Sequence, residues 1–391
     1  PSVLLDLADE ASKQGLEPDA RTGHLAGVVE YPRDALLLRV HLIRAARHSI
    51  DLQTFIWAND SSSNLLAYEL LQAARRGVQI RVLVDSMGVQ NGSDRVTFDE
   101  TTYPNIEIKV YRPAARRIKP GLGRRLIHIL MPNGTNQRMH NKLMIIDGVL
   151  GLTGGRNIGD HYFGLATDYN FKDRDLIVAG PQVAAMSRSF DEYWNFRHAH
   201  LNAELKDVAA LVEKDATRPE RTRADAGLDG KFAAIDQEAA DPQIIATRFA
   251  GLVRPVADLV FVADAPGRKT RLAFANPHTR SRATHYFVDV LNATHHELLM
   301  QSPYVIFNLR ARRIVKKHYK DAPDLRVRVS TNSLGAADRI ITYAANYRLR
   351  TKVVRGLKFE VYEMKPHPAI QPDHLPNFEE LELQAIDEGQ D

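Results

Sequence analysis

The stretch RMHNKLMIID, residues 138–147, places two basic, titratable side chains two positions apart. His140 to Lys142 and the apolar residues from Leu143 onward predict one extended strand, and alternate residues of a strand share one face. His140 and Lys142 are then expected to project together, with Asn141 on the other face. An imidazole is a nucleophile near neutral pH, and an ammonium beside it stabilises anionic oxygens. This pair suits attack on a phosphodiester, where negative charge must be held on the phosphoryl oxygens.

Two glycines and an asparagine follow this predicted strand and extend the hypothesis. Gly154 and Gly155 are expected to let the backbone pass close to the group that His140 and Lys142 serve. Asn157 is expected to donate a further hydrogen bond to the same phosphoryl oxygens. Together these residues predict a phosphodiester-binding site.

Carboxylates nearby are candidates for orienting the imidazole. A third group should hold the second ring nitrogen and fix the tautomer. Asp173, in FKDRDLIV, is expected to begin another strand and is the first candidate, with Asp175 and Asp168 as alternatives. Asp147 lies in the Asp-Gly turn of an expected hairpin, IIDGVLGL, where support of the hairpin is favoured over contact with substrate.

The composition is that of a globular protein and excludes several kinds of chemistry. The chain has 391 residues, 44% of them hydrophobic, and no cysteine. This excludes disulfides, thiolate zinc sites and a cysteine nucleophile. No run approaches the roughly 18 consecutive apolar residues of a membrane span. The net charge of +4 and the pI near 9.1 are compatible with an anionic partner.

Three segments of the first half recur, in order, in the second half. GVQIRVLVDSMG aligns without gaps with DLRVRVSTNSLG, HSIDLQT with HELLMQS, and NIEIKVY with GLKFEVY. The paired ranges are 77–88 with 324–335, 48–54 with 296–302, and 105–111 with 356–362, at offsets of 247 to 251 residues. Helix and strand signals alternate, which predicts parallel strands joined by helices. These matches predict a tandem duplication of one α/β unit.

The duplication predicts three segments along the chain. Residues 1–200 are expected to form the first repeat, 201–250 a charged linker or insertion, and 251–391 the second repeat. The middle segment is rich in charged residues and alanine, and its part KDATRPERTRADAGLDG, residues 214–230, is expected to be an exposed linker or mobile loop.

The motifs around His140 resemble those of the phospholipase D superfamily. HNKLMIID followed by GGRN is similar to its H-x-K-x4-D and G-G-x-N signature. RMHNK, GGRNIGDHYF and FKDRD resemble the bacterial cardiolipin synthase branch, and TNSLGAADRIITYAANYRLR is similar to the second half of such proteins. The resemblance covers roughly residues 30–199 and 252–366. His161 stands where related sequences tend to carry a carboxylate.

The resemblance implies a fold, a mechanism and a location. The fold is a tandem duplicated α/β/α sandwich. One histidine attacks phosphorus to form a covalent phosphohistidine, and the histidine of the other repeat protonates the leaving alcohol. No metal and no cofactor are expected. The implied protein is a phosphatidyltransferase that acts on anionic phospholipid at a membrane surface of the bacterial cell envelope.

Other functions stay open at this stage. The same intermediate can be released to water, as in a phospholipase D or a nuclease, or the chain can be a catalytically silent lipid-binding scaffold. Transfer and hydrolysis differ in how well the site excludes water and positions an acceptor, which the sequence does not determine. Nucleic acid is the less expected partner, and the oligomeric state is not predicted.

A basic segment, residues 112–138, precedes the predicted strand. Its arginines include Arg124 and Arg125, and they interleave with apolar residues such as Leu126 and Ile127. This pattern is typical of a surface that binds anionic lipid. An ordinary solvated loop is an equally good interpretation.

The second repeat lacks a histidine pair like the first. His140 follows Tyr111 by 29 residues, and the same spacing after Tyr362 reaches residue 391. Neither His367 nor His374 has a lysine two positions later. We therefore expect the second repeat to be incomplete here and the natural chain to continue with a second H-x-K-x4-D strand.

Overall fold

The structure is a computed structural model that describes most of the chain. The described residues are 2–13, 21–89, 103–113, 116–117, 138–214, 222–224, 226–228, 230–267, 281–337 and 340–365. They belong to two compact units, one within residues 2–267 and the other within residues 281–365.

The first unit alternates helices and strands. Its helices are α1 (Val3–Ser12), α2 (Pro32–Ala45), α3 (Ser61–Arg75), α4 (Asp160–Phe163), α5 (Gln182–Trp194), α6 (Lys206–Lys214), α7 (Ala233–Ala240) and α8 (Pro242–Arg248). Its strands are β1 (His24–Val29), β2 (Ser49–Thr54), β3 (Gln79–Asp85), β4 (Ile106–Tyr111), β5 (Leu143–Ile146), β6 (Leu150–Gly154), β7 (Asp175–Ala179), β8 (Ala199–Leu201) and β9 (Arg254–Val256).

These nine strands form one mixed sheet in the order β8-β4-β3-β2-β5-β6-β7-β1-β9. Strands β2, β3 and β4 are parallel, as the alternating strand and helix signals predict. Strand β5 is antiparallel to β2 and pairs Leu143 with Gln53. Because the chains run in opposite directions, the residues just before β5 lie beside the carboxyl end of β2.

Local sequence signals explain where α2 and α3 begin. Pro32 opens α2, where its missing N–H removes a donor that a first turn leaves unpaired anyway. Asp60 caps α3 by accepting from the backbone N–H of Ser63 at 3.1 Å. After α3 the chain turns at Gly77, whose φ of 91° lies in the region that glycine adopts most easily.

Two apolar clusters fill the first unit, one on each face of the sheet. The larger lies between the sheet and α1, α2 and α3, and includes Leu37, Leu66 and Ile108. The smaller packs α5 on the opposite face through Phe190 and Trp194. The sheet is therefore covered by helices on both faces, which is the layered α/β/α sandwich that the sequence predicted.

The described residues of 201–250 pack onto the first unit, whereas much of the linker predicted at 214–230 lies outside the described residues. They contain α6, α7 and α8, and they contribute Phe232, Ile245 and Phe249 to the larger core cluster. Ion pairs fix them to α2, since Arg44 binds Asp236 and Arg33 binds Glu238. The charged side chains thus pair across a packed interface, and β9 extends the first unit's sheet beyond residue 250.

The second unit contains a smaller parallel sheet. Its elements are α9 (Arg282–Ala293), β10 (Glu297–Gln301), α10 (Leu309–Asp321), β11 (Arg326–Asn332), α11 (Ile340–Val354) and β12 (Glu360–Met364), with the strands in the order β10-β11-β12. β10 pairs with β11 as β2 pairs with β3: Gln301 faces Ser330 where Gln53 faces Leu83. The pairing of β12 with β11 is displaced by two residues relative to that of β4 with β3.

None of the helices described in either unit has both the length and the apolar composition needed to cross a bilayer.

Candidate functional site

His140 and Lys142 lie in an irregular segment, residues 138–142, directly before β5. The prediction that they belong to the strand itself is wrong by a few residues, because β5 begins at Leu143. Asp85, at the end of β3, fixes this segment in place, whereas a strand would be fixed by a ladder of backbone hydrogen bonds. Its carboxylate accepts from the Met139 backbone N–H and from the Arg138 guanidinium, both at 3.0 Å. Burial raises the pKa of the Asp85 carboxyl.

The histidine and lysine side chains meet, as the sequence predicted. Lys142 Nζ lies 2.9 Å from His140 Nδ1, and it donates to the His140 carbonyl oxygen at 2.7 Å. A charged ammonium can only donate, so Nδ1 is the acceptor while Lys142 is protonated, and a neutral ring then carries its proton on Nε2. His140 is exposed, whereas Lys142 is only 8% exposed. An exposed imidazole is therefore in contact with a buried ammonium.

Burial changes the charge balance of Lys142. Desolvation lowers the pKa of its ammonium to about 8, and the nearby Asp173 carboxylate opposes this effect. Desolvation in turn raises the pKa of the Asp173 carboxyl, against the attraction of Arg156 and Lys142. The two groups are thus electrostatically linked within one buried region, and Lys142 titrates close to neutral pH.

The two glycines make room for the chain around the start of β7, Gly155 for the Asp173 carboxylate and Gly154 for Arg174 and Asp175. A methyl group built at Gly155 would lie 2.0 Å from the Asp173 Oδ1 atom, and one at Gly154 would lie 2.2 Å from the Arg174 carbonyl oxygen. Gly154 and Gly155 were predicted to allow a close approach to the substrate. In the structure the close approach is made by the chain at Asp173, just before β7 begins at Asp175.

The alternatives to Asp173 are engaged elsewhere. Asp175 is 2% exposed and accepts from Arg39 at 2.8 Å, with Arg156 at 3.4 Å. Asp168 lies 3.7 Å from the Nδ1 atom of His161. Of the three carboxylates, Asp173 is the one whose charge acts on Lys142. Its role as the orienter of His140 stays a prediction.

Asn157 has a structural contact that the sequence did not predict. Its side chain is buried, and its carbonyl oxygen accepts from the Ile56 backbone N–H at 3.0 Å. Ile158 reinforces this contact, because its N–H donates to the Ile56 carbonyl at 3.1 Å. Asn157 therefore fixes the segment that follows β2. The predicted hydrogen bond to phosphoryl oxygens stays a prediction.

Phe55 belongs to that segment and was missed by sequence reasoning. Its ring centroid lies 4.9 Å from the His140 ring and 5.9 Å from Lys142 Nζ. Gly88 permits this placement, because a methyl group there would lie 1.6 Å from the Phe55 carbonyl oxygen. A phenylalanine after an apolar strand gives no signal of its own, so only the β2–β5 pairing reveals the contact.

Asp147 lies in the β5–β6 turn with a positive φ of 52°, followed by Gly148 at 70°. Its carboxylate accepts from the backbone N–H groups of Arg47, His48 and Ser49 at 2.7 to 3.0 Å. These contacts join the turn to the start of β2.

The remaining predicted residues lie partly outside the described structure. Arg124 and Arg125 are not among the described residues, whereas Arg116 and Arg117 are described and exposed. In the described ranges, no group of three or more His, Asp and Glu side chains is arranged to hold a metal ion.

Comparisons with known proteins indicate which family the chain resembles. The family described as "Cardiolipin synthase, PLD-like domain" matches residues 40–194, which include His140, Lys142, Asn157 and Asp173. Cardiolipin synthase C of Escherichia coli is 29% identical over 349 residues, which cover 86% of this chain and 68% of that protein. The family match identifies residues 40–194 as similar to the phospholipase D-like domain of cardiolipin synthases.

A further relative and a solved structure define the extent of this similarity. An uncharacterized protein of Helicobacter pylori strain J99 is 33% identical over 346 residues, or 85% of this chain, but this match spans only 64% of that relative. The crystal structure of phosphatidylserine synthase from Haemophilus influenzae is similar at a TM-score of 0.53 and 14% identity, over 87% of this chain and 73% of that chain. This likeness supports the phospholipase D fold.

Proposed function

We propose that the chain is a phosphatidyltransferase resembling cardiolipin synthase, with His140 as the residue that becomes phosphorylated. The observation that carries the proposal is the contact between an exposed imidazole and a buried ammonium. A nucleophile must be reachable, while a group that stabilises phosphoryl oxygens acts more strongly where water is excluded. His140 and Lys142 meet these two requirements.

In this arrangement the Lys142 ammonium donates a hydrogen bond to Nδ1 of His140. A phosphoryl oxygen anion is a stronger acceptor for an ammonium than a neutral imidazole is. Substrate binding is therefore expected to draw Lys142 Nζ away from Nδ1 and onto the phosphoryl group. This releases the ring for attack and places a positive charge where negative charge develops.

The proposed reaction has two balanced steps. A His140 nitrogen lone pair forms a P–N bond to phosphatidylglycerol as the P–O bond to glycerol breaks, and glycerol leaves with a proton from a general acid. A hydroxyl of a second phosphatidylglycerol then loses its proton and forms a P–O bond as the P–N bond breaks. The products are cardiolipin and glycerol, and His140 is regenerated. We extend the proposal to an anionic phospholipid substrate at a peripheral membrane surface of the bacterial envelope.

Product analysis tests this proposal against its alternatives. The full-length protein is incubated with phosphatidylglycerol vesicles, and in parallel with DNA. Cardiolipin with glycerol supports transfer. Phosphatidic acid with glycerol indicates a phospholipase D, cleaved DNA indicates a nuclease, and an absence of products indicates a lipid-binding scaffold.

A pair of histidine variants gives the matched control. His140→Ala should abolish product formation with an unchanged circular dichroism spectrum. His161→Ala removes a partly exposed imidazole that contacts Tyr169 and should retain activity. Full activity of His140→Ala would overturn the assignment of His140.

A further inference from the structure

Helix α10 of the second unit has a strongly basic surface. At about 100° per residue, five basic side chains and Leu309 fall within an arc of about 120°. The opposite side of the helix is buried through Val315 and His318. We refer to the exposed arc as the α10 basic face. Its charged members are Arg310, Arg313, Lys316, Lys317 and Lys320.

The charges of the α10 basic face are not neutralised within the described part of the chain. None of its five side chains forms an ion pair or hydrogen bond with a described residue, and all but that of Arg310 are exposed. The unit has other arginines that are paired, such as Arg326 with Glu360 and Arg328 with Glu297. The basic side chains of the α10 face thus lack the acidic partners that these two arginines of β11 have.

The charge of the second unit is also unbalanced as a whole. Residues 281–365 contain 16 lysine and arginine residues against seven aspartate and glutamate residues, an excess of nine positive charges. The entire chain carries a net charge of only +4. A localised excess of this size attracts an anionic surface over a distance of about 10 Å at ordinary ionic strength.

Apolar side chains accompany the α10 basic face. Leu309 lies within the arc and is 67% exposed, and Ile306, just before the helix, is 44% exposed. Exposed leucine and isoleucine beside lysine and arginine are typical of a surface that lies on a bilayer, where the apolar groups enter the headgroup region. Nucleic acid offers the charge but no comparable apolar layer at the phosphate backbone.

We propose that the α10 basic face is a binding site for bilayers that contain anionic phospholipid. Lysine and arginine contact the headgroup phosphates, while Leu309 and Ile306 enter the acyl boundary. This site is distinct from the basic segment 112–138 and does not depend on the catalytic proposal, because binding is measured without turnover.

Vesicle sedimentation of the full chain tests the site. The probes are vesicles of phosphatidylglycerol mixed with phosphatidylcholine, and vesicles of phosphatidylcholine alone. Each basic side chain near an anionic surface contributes about a fivefold change in partitioning. The combined variant Arg310→Gln, Arg313→Gln, Lys317→Gln and Lys320→Gln should therefore bind the mixed vesicles about a hundredfold or more weakly at low salt.

A matched variant separates a specific face from net charge. Arg348→Gln, Lys352→Gln, Arg355→Gln and Lys358→Gln remove the same charge from exposed positions in and just after α11. This variant should keep most of its vesicle binding. An equal loss of vesicle binding in both variants would show that net charge alone causes the binding, and it would overturn the proposal.

Leu309→Ser distinguishes a bilayer from nucleic acid. It should weaken binding to the mixed vesicles severalfold and leave binding to duplex DNA unchanged. Unchanged vesicle binding in both the α10 variant and Leu309→Ser would overturn the proposal, as would an α10 variant that loses only DNA binding.

Discussion

At the scale of single residues, Lys142 has a charge that titrates within the range of an activity assay. Burial lowers the pKa of its ammonium to about 8 from its ordinary value of 10.5. The side chain is therefore protonated below about pH 8 and loses its charge as the pH rises through that value. If the ammonium stabilises phosphoryl oxygens, activity falls with the same midpoint.

We therefore predict an alkaline limb in kcat/KM for phosphoryl transfer, which reports the ionisation of the free enzyme, centred near pH 8. Initial rates measured against pH test this, with Lys142→Met as the comparison. This variant should be at least about a hundredfold less active below pH 8 and should lack the limb, because it has no charge to lose. A wild-type rate that stays level between about pH 7 and 9 would remove Lys142 from the mechanism.

Phe55 is predicted to be a positioning residue for His140. Its ring packs 4.9 Å from the imidazole, so Phe55→Leu gives the ring more freedom. We expect kcat to fall about tenfold with little change in KM, because a misplaced nucleophile affects the chemical step more than binding. Phe55→Tyr keeps the ring and should restore kcat. Equal losses of kcat in Phe55→Leu and Phe55→Tyr would indicate a different role.

The sequence was most informative about residues that carry their own chemistry. His140 and Lys142 were expected to project together, and their side chains are in contact. They lie in an irregular segment and not in a strand, but the two side chains still lie on the same side of the chain. Phe55 and Asp85 could not be predicted in the same way. Each reaches the site through strand pairing between segments that are tens of residues apart, and neither residue type is unusual at the end of a strand.

At the scale of elements, the β6–β7 connection depends on two consecutive glycines. Gly155→Ala should displace the Asp173 carboxylate, since the new methyl group would lie 2.0 Å from its Oδ1 atom. We predict that activity falls at least about tenfold while the free energy of unfolding drops by about 1–3 kcal/mol. Activity and denaturant unfolding are measured together.

Gly151→Ala provides the control within β6. Its added methyl group would meet only the flexible end of the Met186 side chain, at 2.5 Å from Cε, so that side chain can move aside. We expect a smaller loss of stability and near-normal activity. A Gly155→Ala variant with the activity of Gly151→Ala would show that the position of Asp173 is unimportant.

Residues 201–250 show that composition alone does not predict whether a segment packs onto the core. A segment rich in charge and alanine is typical of an exposed linker when considered alone. Here its charges pair with residues of α2 and α3 that precede it by up to about 200 positions, including Asp236 with Arg44 and Arg223 with Glu69. The few apolar residues, such as Phe232 and Phe249, are those that become buried. Such distant partners cannot be read from local sequence.

At the scale of the whole molecule, the repeated segments predicted the parallel arrangement in both units. The aligned positions of β2–β3 and β10–β11 pair in the same register, which alternation favours because a slip of one residue would exchange the two faces of a strand. The displacement of β12 by two residues was not predictable, since a shift of two preserves the alternation.

The central claim is that His140 forms a covalent bond to phosphorus, and trapping that bond tests it most directly. The full-length protein is mixed with phosphatidylglycerol, quenched within one turnover under alkaline conditions and digested, and the peptide that contains residues 138–142 is analysed by mass spectrometry. We predict an adduct on His140 that carries a phosphatidyl group, or a glycerophosphoryl group where alkali has cleaved the acyl esters. Its P–N bond should be stable in alkali and lost in acid, and the adduct should decay as cardiolipin forms. His140→Ala should yield no adduct. Turnover without any adduct on His140, or an adduct on another residue, would contradict the account.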